Sequence, residues 1–507
     1  MESKSLSSFS LEIRQLFSFL GTTLGPNGRD RLLITKFGDT IISNDGAFLL
    51  KQVQSLNPIV NLLKELSQKQ EENYGDGTTS IVLLACSFFL KILDLEKEGL
   101  SRIAISKALP SFKETIFQIL EFLKLETKEG DHKEAIAVCL KGKLSENYIP
   151  QIVQIVSSLP LNVNQTLTEN LKKIKIRKKV LHSGGVAQVV FEKGYSFELH
   201  KEFVPTNLKT KEKQAIVGKM LLLDSSLFLK TLGKDFNVSL SSVSEYVSAR
   251  SLEQETFEKM VSFLKEKDIS FLFIRGEIDE KLKSLLIQEG IIFFDRLLQQ
   301  ELELLSSCFL VQILSNVEEL VISEVQEPKK LIYTREGDYF NFLLKEEKRE
   351  TNLSSVSVFC STEKFFEELK RAIEDAICVK YLLSKEGKHV LPGGGSVELS
   401  LYEIITFKKK KDVPLKDLIF EKLASCFLEL PKALLKNSNF NELIHVQEWR
   451  KQNRKVSPYI GFNVLTEKFE DMRESKIFEP VELKKGMYSL LCEFLEVLIR
   501  IEDCTYL

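Results

Sequence analysis

The hydrophobic pattern of this 507-residue chain changes period twice, and that constrains the fold more than any single motif. From about 58 to 125 the apolar residues recur at helical spacing, as in Ile59, Val60, Leu62, Leu63 and Leu66, the mark of helices that bury one face. Lys175 to Val180 and Val186 to Phe191 are strand-like. From about 199 to 350, buried-strand runs alternate with helical stretches near 253–266 and 279–288. The runs are Met220-Leu221-Leu222-Leu223, Phe271-Leu272-Phe273-Ile274 and Ile291-Ile292-Phe293-Phe294. Such a β-α-β-α-β rhythm marks a small α/β domain. After Val356-Ser357-Val358-Phe359 the pattern returns to helix, over 363–385 and again to about 450. Helix, insert, helix implies a discontinuous helical domain built from both chain ends, and the length asks for more than one core. The expected class is multidomain α+β. The Ser- and Val-rich stretch 230–252 breaks the rhythm and is expected to project from the insert.

Apolar residues make up 43% of the chain, charged residues 28%, and the net charge is −2. That is an ordinary globular balance and points to neither nucleic acid nor an anionic membrane. The polar start Met1-Glu2-Ser3-Lys4-Ser5 leads into no signal-type apolar core, and no apolar run is read as a membrane span. A cytoplasmic chain is expected. None of the eight cysteines forms C-x-x-C, so buried structural thiols are expected. The five histidines show no metal-ligand spacing.

Three loops carry chemistry. Gly75-Asp76-Gly77-Thr78-Thr79-Ser80 separates two apolar helical stretches. The glycines permit positive φ and close backbone approach. Thr78, Thr79 and Ser80 would open the second helix, where unpaired N–H groups make an anion site. A carboxylate there has two readings: Asp76 caps the helix, or it shares a divalent cation with a phosphate. Leu24-Gly25-Pro26-Asn27-Gly28 is a turn that doubles as an anion nest, and it lacks the Gly-Lys-Ser/Thr of a Walker A loop. Thr40-Ile41-Ile42-Ser43 reads as a strand and Asn44-Asp45-Gly46 as a tight turn. Asp45 is either a turn former or a carboxylate presented at a loop tip.

Taken together these segments resemble the group II chaperonins, the ATP-driven double-ring folding machines. Six segments carry the resemblance. They are Leu24-Gly25-Pro26-x-Gly28-x-Asp30, Ser43-Asn44-Asp45-Gly46-Ala47 and Gly75-Asp76-Gly77-Thr78-Thr79-Ser80. Further on come Asp375-Ala376 about seventeen residues before Pro392-Gly393-Gly394-Gly395-x-Val397-Glu398, then Asp471-Met472 leading to Glu479-Pro480, and Ile499-Arg500-Ile501-Glu502-Asp503. The resemblance implies an equatorial ATP-binding domain (1–138 and 391–507), an intermediate hinge domain of α/β type (139–198 and 353–390), and an α/β apical substrate domain (199–352) with a lid near 228–252. It implies that Asp76 ligates Mg²⁺, with Gly75 and Gly77 shaping the loop and Thr78, Thr79 and Ser80 meeting phosphate oxygens. Leu24, Gly25 and Pro26 would line the phosphate loop, and Asp45 and Asp375 would orient the attacking water. Gly394 and Gly395 would lie against sugar and base, and Glu479 would meet the ribose. ATP and Mg²⁺ are the implied ligands, with K⁺ a further candidate ion. The implied partners are paralogous subunits in a double ring and non-native clients such as actin and tubulin. Lys143 stands where the family often has a γ-phosphate-sensing lysine, among neighbours that depart from the pattern.

Several positions depart from the family. Asn437-Ser438-Asn439-Phe440-Asn441 replaces Asn-Ala-Gly-x-Asp, Asn463 replaces an aspartate, and Glu467 a glycine. Phe359-Cys360-Ser361-Thr362 replaces Arg-Gly-Gly-Thr. Asn tolerates positive φ, so the turn at Asn439 is expected to survive. Two functions follow: an ATP-hydrolysing ring subunit, which the intact carboxylates favour, or a chaperonin-like assembly scaffold, which the altered base-side loop favours.

Overall fold

The computed structural model describes residues 3–34, 40–127, 130–180, 188–205, 208, 213–228, 243–315, 329–336, 339–345, 353–387, 389–407, 414–501 and 503–505. The chain parts into two compact units. One comprises Met1–Leu159, Val163–Thr168 and Ser361–Leu507, and the other Pro160–Asn162 and Glu169–Cys360. The first is thus built from both chain ends.

Long helices make up most of the first unit, and their ends follow local chemistry. Asn57 caps Pro58–Tyr74, accepting from the Ile59 N–H, with Pro58 at the first helical position. Ser101 caps Arg102–Leu123. These are N-terminal signals with a stated mechanism: the side-chain oxygen satisfies an otherwise unpaired amide. Thr78–Lys97 is apolar on nearly every side because it runs through the core, in one cluster with Ile13, Leu63, Phe112, Phe427 and Leu491. In length and hydropathy it is the one helix among the described residues that matches a membrane span, which the sequence reading did not anticipate. Its burial accounts for the composition, since a helix packed all round needs no polar face.

Among the described residues, four small sheets complete this unit. Ser3–Ser5 pairs antiparallel with Asp503–Thr505, and Arg31–Ile34 with Thr40–Ser43. His389–Pro392 lies between Phe478–Pro480 and Leu125–Glu126, and Ile460–Asn463 pairs with Lys468–Asp471. The helix Ser10–Gly21 ends ahead of the Leu24–Gly28 turn, in which Gly25 adopts φ +81°.

The second unit holds a seven-stranded mixed sheet. Its main order is Ile292–Phe294, Ile269–Ile274, Lys213–Leu223, Lys329–Glu336, Tyr339–Lys345, Tyr195–His200, with Ile313–Leu314 also beside Lys213–Leu223. The three strands expected from the β-α-β-α-β rhythm are parallel. Their side chains alternate between two cores. Met220, Leu222, Phe271 and Phe273 face one, and Leu221, Leu223, Leu272 and Ile274 the other, as the two-residue period of a strand requires. A three-stranded sheet carries Ser354–Cys360 between Ile174–Val180 and Gln188–Lys193. The helix expected from 253 begins at Val243. The projecting stretch is therefore helical over 243–252, and 229–242, most of the expected lid, lies outside the described residues.

Candidate functional site

All fourteen residues singled out from the sequence line one cavity of about 310 Å³ in the first unit: Leu24, Gly25, Pro26, Asp45, Gly75, Asp76, Gly77, Thr78, Thr79, Ser80, Asp375, Gly394, Gly395 and Glu479. That volume suits a small organic ligand.

Gly75 ends the helix Pro58–Tyr74 at φ +69°, and Gly77 starts the helix Thr78–Lys97 at φ +77°. Asp76 therefore sits between two left-handed residues, a geometry that strains any side chain with a Cβ. Space imposes the same choice: a Cβ at Gly75 would lie 2.3 Å from Cys378 Sγ. The buried Gln70 donates its Nε2 to the Asp76 carbonyl at 2.8 Å and fixes the loop from below. The helical ladder starts with the Ile81 N–H donating to the Gly77 carbonyl, so the N–H groups of Thr78, Thr79 and Ser80 precede it and stay available to an anion.

The Gly25 loop is held from the opposite wall. Asn437 Nδ2 donates to the carbonyls of Gly21 (3.0 Å) and Leu24 (2.8 Å). Asp45 caps the short helix Gly46–Gln52 through the Ala47 N–H at 3.0 Å, so the capping reading applies to it in this structure. Gly46 has no room for a Cβ, which would lie 2.1 Å from Thr79 Oγ1. That packs the Asp45 turn directly onto the Gly75–Ser80 loop.

Lys143 joins the carboxylates. Its ammonium lies 3.2 Å from Asp76 Oδ1 and 2.9 Å from Asp375 Oδ2. Burial opposes ionisation of Asp76, but the Lys143 charge and the Gly77 N–H outweigh it and hold the carboxyl below its usual range. Asp375 goes the other way. Burial pushes it up to about 7, Lys143 opposes, and the Asp76 and Asp45 charges add to the rise. Burial also opposes charge on Lys143, yet Asp375 and Asp76 together keep it well above the ordinary lysine range. Among neighbours that depart from the family pattern, a usable sign of this lysine was the preceding Gly142. It takes φ +87°, and a Cβ there would lie 2.6 Å from Pro26 Cα.

The far end is framed by glycines. Gly394 and Gly395 have φ +60° and +74°. The Phe462 N–H donates to the Gly394 carbonyl at 3.0 Å, and a Cβ on Gly394 would lie 2.9 Å from the Phe462 carbonyl oxygen. Phe462, Val464, Leu465, Leu434 and Met487 supply apolar walls. Here the sequence reading missed a buried ionic group. Lys484 lies 2.7 Å from Glu479 Oε2 and 2.6 Å from Glu398 Oε1. Glu479 was singled out from the sequence and Glu398 stood in a motif, but lysine is ordinarily a surface residue, so nothing flagged Lys484 or its pairing with them.

The altered positions keep the local geometry. Asn439 takes φ +62°. Asn441 caps Glu442–Lys455, accepting from the N–H groups of Leu443 and Ile444. Asn463 donates to Glu470 Oε2 at 3.0 Å and accepts from the Leu465 N–H at 3.1 Å. Glu467, at the hairpin turn, has φ +57°.

The donor set suits magnesium better than a protein-only metal cage. No cluster of three or more His, Cys, Asp or Glu side chains is placed to hold a metal among the described residues. Mg²⁺ needs only one or two carboxylates beside phosphate oxygens, and Asp76 lies beside the N–H groups that open the helix Thr78–Lys97.

The model of the TCP-1/cpn60 chaperonin family matches residues 16–505. A thermosome subunit from Pyrococcus abyssi is 24% identical over 500 residues, covering 97% of this chain and 89% of the relative. A thermosome subunit beta from Methanothermobacter thermautotrophicus is 27% identical over 489 residues, covering 95% and 88%. The thermosome subunit alpha of the same organism is 24% identical over 485 residues, covering 95% and 87%.

Proposed function

The chain belongs to the TCP-1/cpn60 chaperonin family as a divergent group II member, and on that premise we propose that it is a cytoplasmic ring subunit that hydrolyses Mg-ATP to fold non-native proteins. The observation that carries the reading is Lys143 held between Asp76 and Asp375, opposite the two glycine loops, in a single cavity. Phosphoryl transfer asks a protein mainly for positioning and charge compensation, and this arrangement offers both.

Asp76 would hold Mg²⁺, which supplies neutralisation of phosphate charge. The N–H groups and hydroxyls of Thr78, Thr79 and Ser80 would take phosphate oxygens on one side, with Leu24, Gly25 and Pro26 on the other. Asp45 and Asp375 would orient a water molecule, and Lys143 would place positive charge at the terminal phosphate. Gly394, Gly395 and Glu479 would frame sugar and base. The helix Glu363–Glu386, which carries Asp375, starts three residues after the second unit ends at Cys360. That connection is where hydrolysis would be coupled to substrate release. The three-domain division, the lid and the paralogous ring partners belong to the same proposal.

The scaffold alternative predicts a decayed pocket. Asn439 and Asn441 instead support the turn and the cap that their positions require, which favours the active reading. The test is ATP turnover by the assembled protein with Asp375→Ala in this chain. Nucleotide binding should persist while turnover falls about 100-fold or more. Unchanged turnover would sink the assignment, and so would a native mass no larger than a small heteromer.

A further inference from the structure

The cluster at the sugar end of the cavity contains more than the sugar-contacting carboxylate needs. Glu479 and Glu398 share one ammonium, that of Lys484, at 2.7 and 2.6 Å. Lys484 is only 8% exposed and Glu398 2%, whereas Glu479 is 26% exposed toward the cavity. Tyr488, one helical turn beyond Lys484, donates its hydroxyl to Glu398 Oε1 at 2.9 Å. Three elements meet here. Glu398 belongs to the helix Ser396–Phe407, which leaves the Gly393–Gly395 loop. Glu479 belongs to the strand Phe478–Pro480, and Lys484 and Tyr488 to the helix Val481–Arg500.

The geometry divides the two carboxylates by role. Glu398 is closed off, with a lysine and a phenol on the same oxygen. Glu479 spends Oε2 on Lys484, which leaves its other oxygen, Oε1, off that ion pair, and the residue itself lines the cavity. Two carboxylates on one cation leave a net negative charge, and it is the solvent-facing Glu479 that is left to seek a further donor. A hydroxyl in the cavity supplies one.

We propose that Lys484 is the positioning residue for recognition of a sugar hydroxyl. It pins Glu479 by one oxygen, keeps it an acceptor, and turns the other oxygen toward a ribose, so that the site prefers ribonucleotides to deoxyribonucleotides. The proposal rests on the nucleotide reading above and adds the residue that sets sugar selectivity. Burial raises the Glu479 carboxyl above its ordinary range, and Lys484 is the main force opposing that rise. Without Lys484 that opposition is gone, and the carboxyl loses the partner that fixes its rotamer.

The experiment compares binding of Mg-ATP, Mg-2′-deoxy-ATP and Mg-3′-deoxy-ATP to the full chain by calorimetry. A hydrogen bond to a charged acceptor corresponds to a preference of roughly 10- to 100-fold for ATP over the analogue that lacks the bonded hydroxyl. Lys484→Met should reduce that preference to about threefold or less, with affinity for the deoxy analogue little changed. A role in packing alone would weaken all three ligands in parallel. Because the single change leaves two buried carboxylates without a cation, the double variant Lys484→Met/Glu398→Gln provides a version with less buried charge, and it should lose the preference equally. Glu398→Gln alone gives Lys484 wholly to Glu479 and should keep the preference at or above the wild-type value. A preference that survives in both Lys484 variants overturns the proposal while leaving nucleotide binding intact. Failure of the wild-type chain to bind any of the three nucleotides overturns this proposal and the reading beneath it.

Discussion

Asp375→Asn should make the nucleotide-free protein more stable and less active at once. The carboxyl of Asp375 is raised from 3.8 to about 7, chiefly by burial, with the Asp76 and Asp45 charges contributing and Lys143 opposing. A raised acid costs stability in its ionised form. Below pH 3.8 the group is protonated whether the chain is folded or not, and the cost is absent. Between 3.8 and about 7 the unfolded chain releases the proton while the folded chain keeps it, so stability falls as pH rises. Above about 7 the cost is constant. A shift of that size corresponds to about 4 kcal/mol before screening. Solvent reaches a side chain that is 27% exposed, which reduces the figure to about 1–2 kcal/mol. Asparagine avoids the charge and still offers Lys143 an acceptor. In melts of the nucleotide-free chain in EDTA, the advantage of the variant should grow from near pH 4 to near pH 7 and then level off at a few degrees. Turnover should fall about 100-fold above pH 7, where the wild-type carboxyl is ionised, and the deficit should shrink toward acid pH as that carboxyl takes up its proton. A pH-independent difference, or a variant less stable than wild type at pH 8, would refute the electrostatic account.

Other substitutions test the backbone. Glu467 and Asn439 hold positive φ without being glycine, so Glu467→Gly and Asn439→Gly should each stabilise by up to about 1 kcal/mol, read as melting temperature. Gly75→Ala forces a Cβ to 2.3 Å from Cys378 Sγ at φ +69°; it should cost about 2 kcal/mol or more and abolish nucleotide binding. Asn437→Ala frees the Leu24 and Gly21 carbonyls. It should weaken ATP about fivefold, as expected for loss of about 1 kcal/mol in loop support, with little change in melting temperature.

The periods of the hydrophobic pattern made the large divisions legible. The parallel strands at Met220, Phe271 and Ile292 are buried on both faces, and such strands announce themselves as short apolar runs bounded by helical stretches. The hairpins at 329–345 and 460–471 did not, because one side chain in two carries polarity and the pattern blurs against loop composition. Among site residues, the glycines were readable because their reason is local: positive φ and a neighbour at van der Waals distance. Lys143, Lys484, Glu398 and Asn437 act across long separations in the chain, and only folding shows that Asn437 reaches Leu24 or that Lys484 reaches Glu398. Thr78–Lys97 shows that composition alone is ambiguous, since it matches a membrane span in length and hydropathy while its packing is that of a core helix.

The charge of the cavity makes its metal dependence a matter of sign. Among the described residues, seven carboxylates line it (Asp45, Glu71, Asp76, Glu368, Asp375, Glu398 and Glu479) against four cations (Lys141, Lys143, Arg371 and Lys484). Lys143 and Lys484 are already committed to carboxylate pairs. A bare triphosphate would therefore enter a region of net negative charge. One uncompensated contact at about 4 Å costs about 4 kcal/mol at an effective dielectric near 20. Glycine loops without a divalent cation are then insufficient. Chelation with EDTA should weaken ATP binding by about 100-fold or more, given that tenfold corresponds to about 1.4 kcal/mol. Adenosine carries no phosphate, so its weaker binding should be indifferent to EDTA. Equal loss for adenosine would show that the metal supports the fold rather than the phosphates, and no loss for ATP would show that the fixed cations alone compensate the charge.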